Sequence, residues 1–181
     1  MNENEGLKLY GQWNVQVYPA GTVSLGESVT VQLDNGIFMG RPIETQIEPV
    51  FESYGDNLIT ATGMALVCDM LIDTATFDTG LTYHAIGTAT TAVASGNTQL
   101  AAEFNRKAVT SKSRNRNVIT YSTFYTGAQS NASIEEAGMF GHSTASTASN
   151  TGILFSRYLV VLANVSATYD CTFNYTLQVG S

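Results

Sequence analysis

The chain of 181 residues has 15 acidic and 8 basic side chains, giving a formal net charge of −7, and 44% of its residues are hydrophobic. This hydrophobic fraction supports a packed core and argues against an intrinsically disordered chain. The negative charge argues against general binding of nucleic acid, because phosphates would be repelled. The length fits one domain, which we expect to span residues 1–181. Hydroxyl and amide side chains supply most of the polarity, which suits a β-rich protein with many turns or a subunit packed among others.

The first segment, MNENEGLKLY, lacks the basic start and apolar centre of a signal peptide, so we expect the chain to begin in the cytosol. Residues 1–6 are predicted to form a flexible end. The longest apolar run, 63–72, is too short and too interrupted to cross a bilayer, and no membrane partner is expected. Cys68 and Cys171 match no metal-ligand spacing and predict two buried thiols.

Alternating side chains predict the first strands. Residues 8–19 place one set on a common face and therefore read as a half-buried strand: Leu9, Gly11, Trp13, Val15 and Val17. Residues 27–36, ESVTVQLDNG, repeat the alternation and stop at a strong turn signal. Residues 37–49 are broken by Gly40 and Pro42 and predict an arm or an edge strand.

The stretch NLITATGMALVCDMLID predicts one helix over residues 57–73. Its polar positions fall on one side and its other faces are apolar, so we expect a mostly buried helix. Asp56 or Asn57 is the expected N-cap. A second, short helical turn is predicted to begin at Asn97 and to cover Gln99 to Phe104.

Strand signals return in the second half of the chain and predict five further strands: 83–86, 118–125, 134–140, 153–162 and 169–179. Residues 118–125 are rich in β-branched and aromatic side chains, and residues 169–179 alternate with a period of two. The intervening segment HSTASTASNT, between Gly141 and Gly152, has no hydrophobic anchor and predicts an exposed, mobile loop. Seven or eight strands with one helix indicate a mainly β fold, an antiparallel β-sandwich of jelly-roll type.

Two adjacent carboxylates, Glu135 and Glu136, stand in the segment SIEEAGMFG. Neighbouring residues of a strand point to opposite faces, so the two cannot act together on one substrate atom. We expect one to face solvent and the other to lie inside, where it needs a partner such as Arg157 or a backbone N–H. The segment therefore predicts a structural role.

His84 and His142 are the two histidines of the chain. His84 lies in a short predicted strand, which indicates a packed or hydrogen-bonded ring, and His142 opens the polar loop. Neither stands in a recognisable setting with a nucleophile and an acid, or has the spacing of a zinc-binding helix. We expect no catalytic residue, no metal and no cofactor.

Five of the eight basic residues lie within RKAVTSKSRNR and form a candidate interface: Arg106, Lys107, Lys112, Arg114 and Arg116. Such a hairpin could contact an acidic partner, for example a capsid surface or a neighbouring copy. A solvated, charged turn is the alternative. No aromatic residue interrupts the run, which again argues against nucleic acid.

The order of the motifs carries a resemblance. The helical stretch is followed by YHAIGTATTAVASGN, then by NVITYSTFY and SIEEAGMFG, then by GILFSRYLVV and a last alternating strand. This order, over residues 57–179, resembles a group of tailed-bacteriophage virion proteins with an AIGTGTT-like turn, an EAGLF strand and an ML.R strand. Here the turn reads GTATT. The resemblance implies that Glu136 and Arg157 pair across adjacent strands.

The resemblance also implies a non-enzymatic virion component, assembled in the host cytoplasm. Our first hypothesis is a decoration or cement subunit that stabilises the head, forms a homo-oligomer, and binds the major capsid protein or other virion subunits. A tail adaptor, baseplate or fibre subunit is the alternative. A carbohydrate-binding module comes third, because it needs an exposed aromatic platform or a calcium cluster and the sequence shows neither.

Overall fold

A computed structural model describes residues 9–22, 48–71, 80–162 and 165–179. In these ranges the chain forms ten strands and two helices: β1 Leu9–Pro19, β2 Phe51–Asp56, β3 Leu58–Ile59, α1 Ala61–Leu71, β4 Tyr83–Gly87, β5 Glu103–Ala108, β6 Ser111–Asn115, β7 Val118–Tyr125, α2 Gly127–Ser130, β8 Ile134–Gly141, β9 Ile153–Leu162 and β10 Tyr169–Val179. The flexible end predicted at 1–6, the strand predicted at 27–36 and nearly all of the predicted arm at 37–49 lie outside the described residues.

The strands form two antiparallel five-stranded sheets, which confirms the prediction of a mainly β sandwich. Sheet A has the order β2-β1-β10-β7-β6, and sheet B has the order β3-β9-β8-β4-β5. Strands β4 and β5, β6 and β7, and β8 and β9 pair as neighbours, and the chain crosses to the other sheet after each pair. Successive pairs therefore alternate between the two layers.

Alternate residues of β1 and β10 build the core between the sheets, as their sequence pattern predicts. Trp13 lies opposite Tyr175 and Val15 lies opposite Phe173, and all four side chains are buried. Trp13 also stacks on Tyr158 of sheet B, with ring centroids 5.2 Å apart. Aromatic rings from both sheets thus fill the interior, where such contacts add to the free energy gained by burial.

Helix α1 begins later than predicted, at Ala61, because Leu58 and Ile59 pair with β9 as a short strand. Thr60 then caps the helix, since its Oγ1 accepts a hydrogen bond from the backbone N–H of Gly63 at 3.0 Å. Neither Asp56 nor Asn57, the two predicted caps, holds this position. Asp56 instead ends strand β2.

The expected burial of α1 is wrong. Among its described side chains only Gly63 and Leu66 are buried, so the helix presents one narrow face to the protein. Cys68 is exposed, which corrects the prediction of two buried thiols, whereas Cys171 is buried and both thiols are free. The short helical turn predicted from Asn97 is also wrong, because residues 103–108 form β5.

Candidate functional site

A buried ion pair lies on the outer face of sheet B. Arg157 Nε donates to Glu136 Oε2 at 2.7 Å, and the two side chains are 1% and 0% exposed. Their neighbours Ala137 and Tyr158 belong to the core, so both charged side chains point away from it. The structure thus brings together the two residues that the motif order placed on adjacent strands, while Glu135 stays half-buried.

Glu136 attaches the connection between β4 and β5, residues 88–102, which we call the covering loop. Its Oε2 accepts from the backbone N–H of Ala101 at 3.1 Å, and its Oε1 accepts from that of Ala102 at 2.7 Å. Hydrogen bonds to a carboxylate are stronger than those between neutral groups. The end of the covering loop is therefore held directly on the sheet.

Arg157 attaches the beginning of the same loop. Its guanidinium donates to three oxygens of the loop: Thr91 O at 2.9 Å, Ala92 O at 3.2 Å and Asn97 Oδ1 at 3.1 Å. A buried charge is tolerated when its hydrogen-bonding groups find partners, and here the loop backbone supplies most of them. The ion pair and the covering loop therefore depend on each other.

Three of the segments that carry the phage resemblance meet at this point. AIGTATT supplies the start of the covering loop, EAGMF supplies Glu136 and GILFSR supplies Arg157. Gly87 permits the close approach, because a Cβ there would lie 2.5 Å from Ala102 O and 2.7 Å from Glu136 Oε1. The three segments thus contribute residues to one site that attaches the covering loop to sheet B.

The prediction that Arg106 belongs to a basic interface is wrong. Its side chain is buried, forms an ion pair with Glu103 at 2.7 Å and lies 3.8 Å from the centre of the Phe140 ring. Its Nη1 also donates to Thr151 O, which attaches residues 142–152, the polar loop, to sheet B. Arg106 therefore acts inside the fold and presents no charge to a partner.

The polar loop has an internal anchor that the sequence did not reveal. Thr151 Oγ1 donates to Ala148 O at 2.7 Å and lies 3.0 Å from Ser146 N, which donates to it. Together with the bond from Arg106, these contacts fold the loop around one threonine hydroxyl. The loop is largely exposed, as predicted, and hydroxyl groups hold it where a hydrophobic anchor is lacking.

His84 is buried between the sheets, in the packed and hydrogen-bonded setting that its strand predicts. Its Nε2 lies 2.7 Å from the hydroxyl of Tyr158, and its Nδ1 lies 3.1 Å from that of Tyr125. Burial lowers the pKa of His84 to about 3 and raises the pKa of both tyrosines. The ring is therefore neutral near pH 7 and serves the core.

Three of the five predicted interface residues remain at the surface of sheet A. Lys112 and Arg114 lie on the exposed edge strand β6, and Arg116 lies in the turn that joins β6 to β7. Lys107 is half-buried and donates to Gln129 Oε1 at 3.0 Å. The candidate interface is thereby reduced to Lys112, Arg114 and Arg116, which we call the basic edge.

The outer face of sheet A carries exposed aromatic side chains. Tyr10 on β1 is 48% exposed and Tyr54 on β2 is 80% exposed. The two tyrosines lie on different strands, so this face carries separate exposed aromatic side chains. The alternation in residues 8–19 assigns Tyr10 to the face opposite Trp13, whereas β2 has no buried face whose pattern could locate Tyr54.

The described part of the chain has no group of three or more His, Cys, Asp or Glu residues placed to hold a metal ion. Among the helices of that part, none has the length and apolar character that crossing a membrane requires.

Asp170, also buried, accepts from the backbone N–H groups of Gly127 at 2.7 Å and Gly21 at 3.0 Å. The buried charges described above thus hold loops and turns in place.

Comparisons of the chain with protein-family models, with curated proteins and with solved structures gave no match.

Proposed function

We propose that the chain is a non-enzymatic structural protein of a tailed-bacteriophage virion, a decoration or cement subunit that stabilises the head. The observation that carries this proposal is the meeting of the AIGTATT, EAGMF and GILFSR segments at the Glu136–Arg157 pair. Glu136 and Arg157 are buried, and their polar atoms bond to each other and to the covering loop. Their arrangement suits a stable building unit.

Sheet A offers two edges for contacts with the major capsid protein or with further copies of the chain. The basic edge lies at β6, and β2 lies at the opposite side with Phe51 and Tyr54 exposed. A stable contact of this kind buries about 1,200–2,000 Å² in total. Repetition of the subunit over a lattice would strengthen individually weak contacts through avidity.

A tail adaptor, baseplate or fibre subunit is the second candidate. The exposed Tyr10 and Tyr54 favour it, because tyrosine is enriched where proteins recognise other molecules. Both candidates share the same structural unit and differ in where that unit sits on the particle. The position of the protein on the virion therefore separates them.

Antibody–gold labelling of intact phage particles, imaged by electron microscopy, tests the proposal. We expect gold scattered over the head, with the chain detected in purified virions by mass spectrometry. Gold confined to the neck or the tail tip would favour the second candidate. Absence of the chain from purified virions would reject both.

A further inference from the structure

A groove of about 260 Å³ lies on the outer face of sheet A, lined by Tyr10, Gln12, Thr176 and Gln178. Strands β1 and β10 pair so that Tyr10 lies opposite Gln178 and Gln12 lies opposite Thr176. The four side chains therefore form two adjacent cross-strand pairs on one face. Because each sits on a paired strand inside the sheet, their spacing is fixed by the backbone.

Polar side chains beside the groove already bond to one another. Ser122 donates to Asn174, and Asn14 donates to Glu52 on the edge strand β2. A row of hydrogen bonds thus crosses the middle of the face, and the polar groups in it have partners. These residues have little hydrogen-bonding capacity left for a ligand.

The groove differs from its surroundings in this respect. Among the described residues, the hydroxyls of Tyr10 and Thr176 have no hydrogen-bonding partner, and Gln12 has one long contact of 3.5 Å to Asp56. An amide and a hydroxyl can each donate and accept. The groove therefore combines unused polar groups with an exposed aromatic ring.

We propose that this groove binds a neutral saccharide. A sugar presents hydroxyls that both donate and accept, which suits Gln12 and Thr176, and an apolar C–H face, which suits the ring of Tyr10. The lining carries no charge, so an anionic ligand would find no counter-ion there and would be repelled by the net charge of −7. This inference goes beyond the proposed function and does not depend on the position of the protein in a virion.

A panel of immobilised neutral oligosaccharides of glucose, galactose and mannose, with sialylated and sulfated glycans beside them, provides the test. We expect the full chain to bind at least one neutral saccharide. Tyr10→Ala and Gln12→Ala should each weaken that binding about tenfold, which corresponds to about 1.4 kcal/mol. Tyr54→Ala, which removes another exposed tyrosine from the same face outside the groove, should leave binding unchanged.

Several results would overturn the proposal: no neutral saccharide bound at millimolar concentration, binding of charged glycans alone, or equal binding by wild type, Tyr10→Ala and Gln12→Ala. Gln12 is exposed, so its replacement should not disturb folding. A thermal unfolding curve for each variant separates lost binding from lost structure. Gln12→Ala then decides the test even where Tyr10→Ala lowers stability.

Discussion

The two sheets use their outer faces in opposite ways. On sheet B, two loops are attached by buried arginines, Arg157 for the covering loop and Arg106 for the polar loop. On sheet A, Tyr10 and Tyr54 are exposed and the groove is open. Buried arginines hold the loops on sheet B, whereas the groove on sheet A is lined by uncharged side chains. The first face therefore contributes to stability, and we propose that the second face makes the contacts with other molecules.

Removing one member of the Glu136–Arg157 pair should release the covering loop from the outer face of sheet B. Among the predictions, this change should have the largest effect on stability. In Arg157→Ala the carboxylate of Glu136 stays buried without its counter-ion, so the free energy of unfolding should fall by about 3–5 kcal/mol in urea denaturation. Glu136→Ala should also destabilise the protein. Glu135→Ala, one residue away and half-buried, is the control. Wild-type stability of Arg157→Ala would contradict this account of the covered face.

Substitution of Gly63 tests how closely α1 packs against β9 of sheet B. A Cβ at this position would lie 2.1 Å from Phe155 O, a backbone atom of β9. Gly63→Ala should therefore lower the free energy of unfolding by up to about 3 kcal/mol, although alanine is intrinsically better in a helix by about 1 kcal/mol. Gly96→Ala is the control, because nothing lies within 4 Å of the added Cβ. Increased thermal stability of Gly63→Ala would show that the helix does not pack as described.

His84 tests the core that both faces share. The folded chain keeps this ring neutral down to a pKa of about 3, whereas an unfolded histidine takes up a proton near pH 6.5. The unfolded state therefore binds more protons between these two pH values. The contribution of His84 to the free energy of unfolding should be fully present above pH 6.5 and should fall as the pH is lowered. Urea unfolding should show a loss of about 2 kcal/mol by about pH 5. In His84→Gln this part of the pH dependence should disappear. Equal stability of the wild type above pH 6.5 and at about pH 5 would count against a buried neutral ring.

The basic edge should contribute least to stability and most to contacts. Replacing Lys112, Arg114 and Arg116 with serine should change the free energy of unfolding by less than about 0.5 kcal/mol, because all three lie at an exposed edge. The same variant should co-sediment less with virions and show a weaker dependence on salt. Ser113→Ala on the same strand is the control. Identical salt dependence of variant and wild type would remove this edge from the interface.

Strands that supply core residues could be located from the sequence, and the predicted bounds of β7, β9 and β10 match the structure. In β10 a period of two reports the buried face, whereas β9 is a mainly apolar run that is buried along most of its length. Strand β6, SKSRN, gave no such signal, since all five of its residues are exposed. The same holds for β2, whose residues are exposed or half-buried. Edge strands are held by backbone pairing, which leaves little trace in the side-chain pattern.

The site was predictable only in part. Motif order placed Glu136 beside Arg157, but the covering loop bonds to them largely through backbone groups, which any sequence would supply. Arg106 looked like part of one basic cluster, yet the chain crosses from sheet B to sheet A after β5 and divides that cluster. An acidic residue three positions earlier, Glu103, was the available signal. By itself that spacing does not distinguish a buried pair from an exposed one.

Amide hydrogen exchange at Ala101 and Ala102 tests the central claim most directly, because both N–H groups donate to the carboxylate of Glu136. We predict slow exchange at both amides in the wild type. In Arg157→Ala the exchange at both should accelerate more than at Phe173, which lies in the core of sheet A. Fast exchange at both amides in the wild type, or equal acceleration at all three positions, would contradict the claim that buried charges hold the covering loop on sheet B.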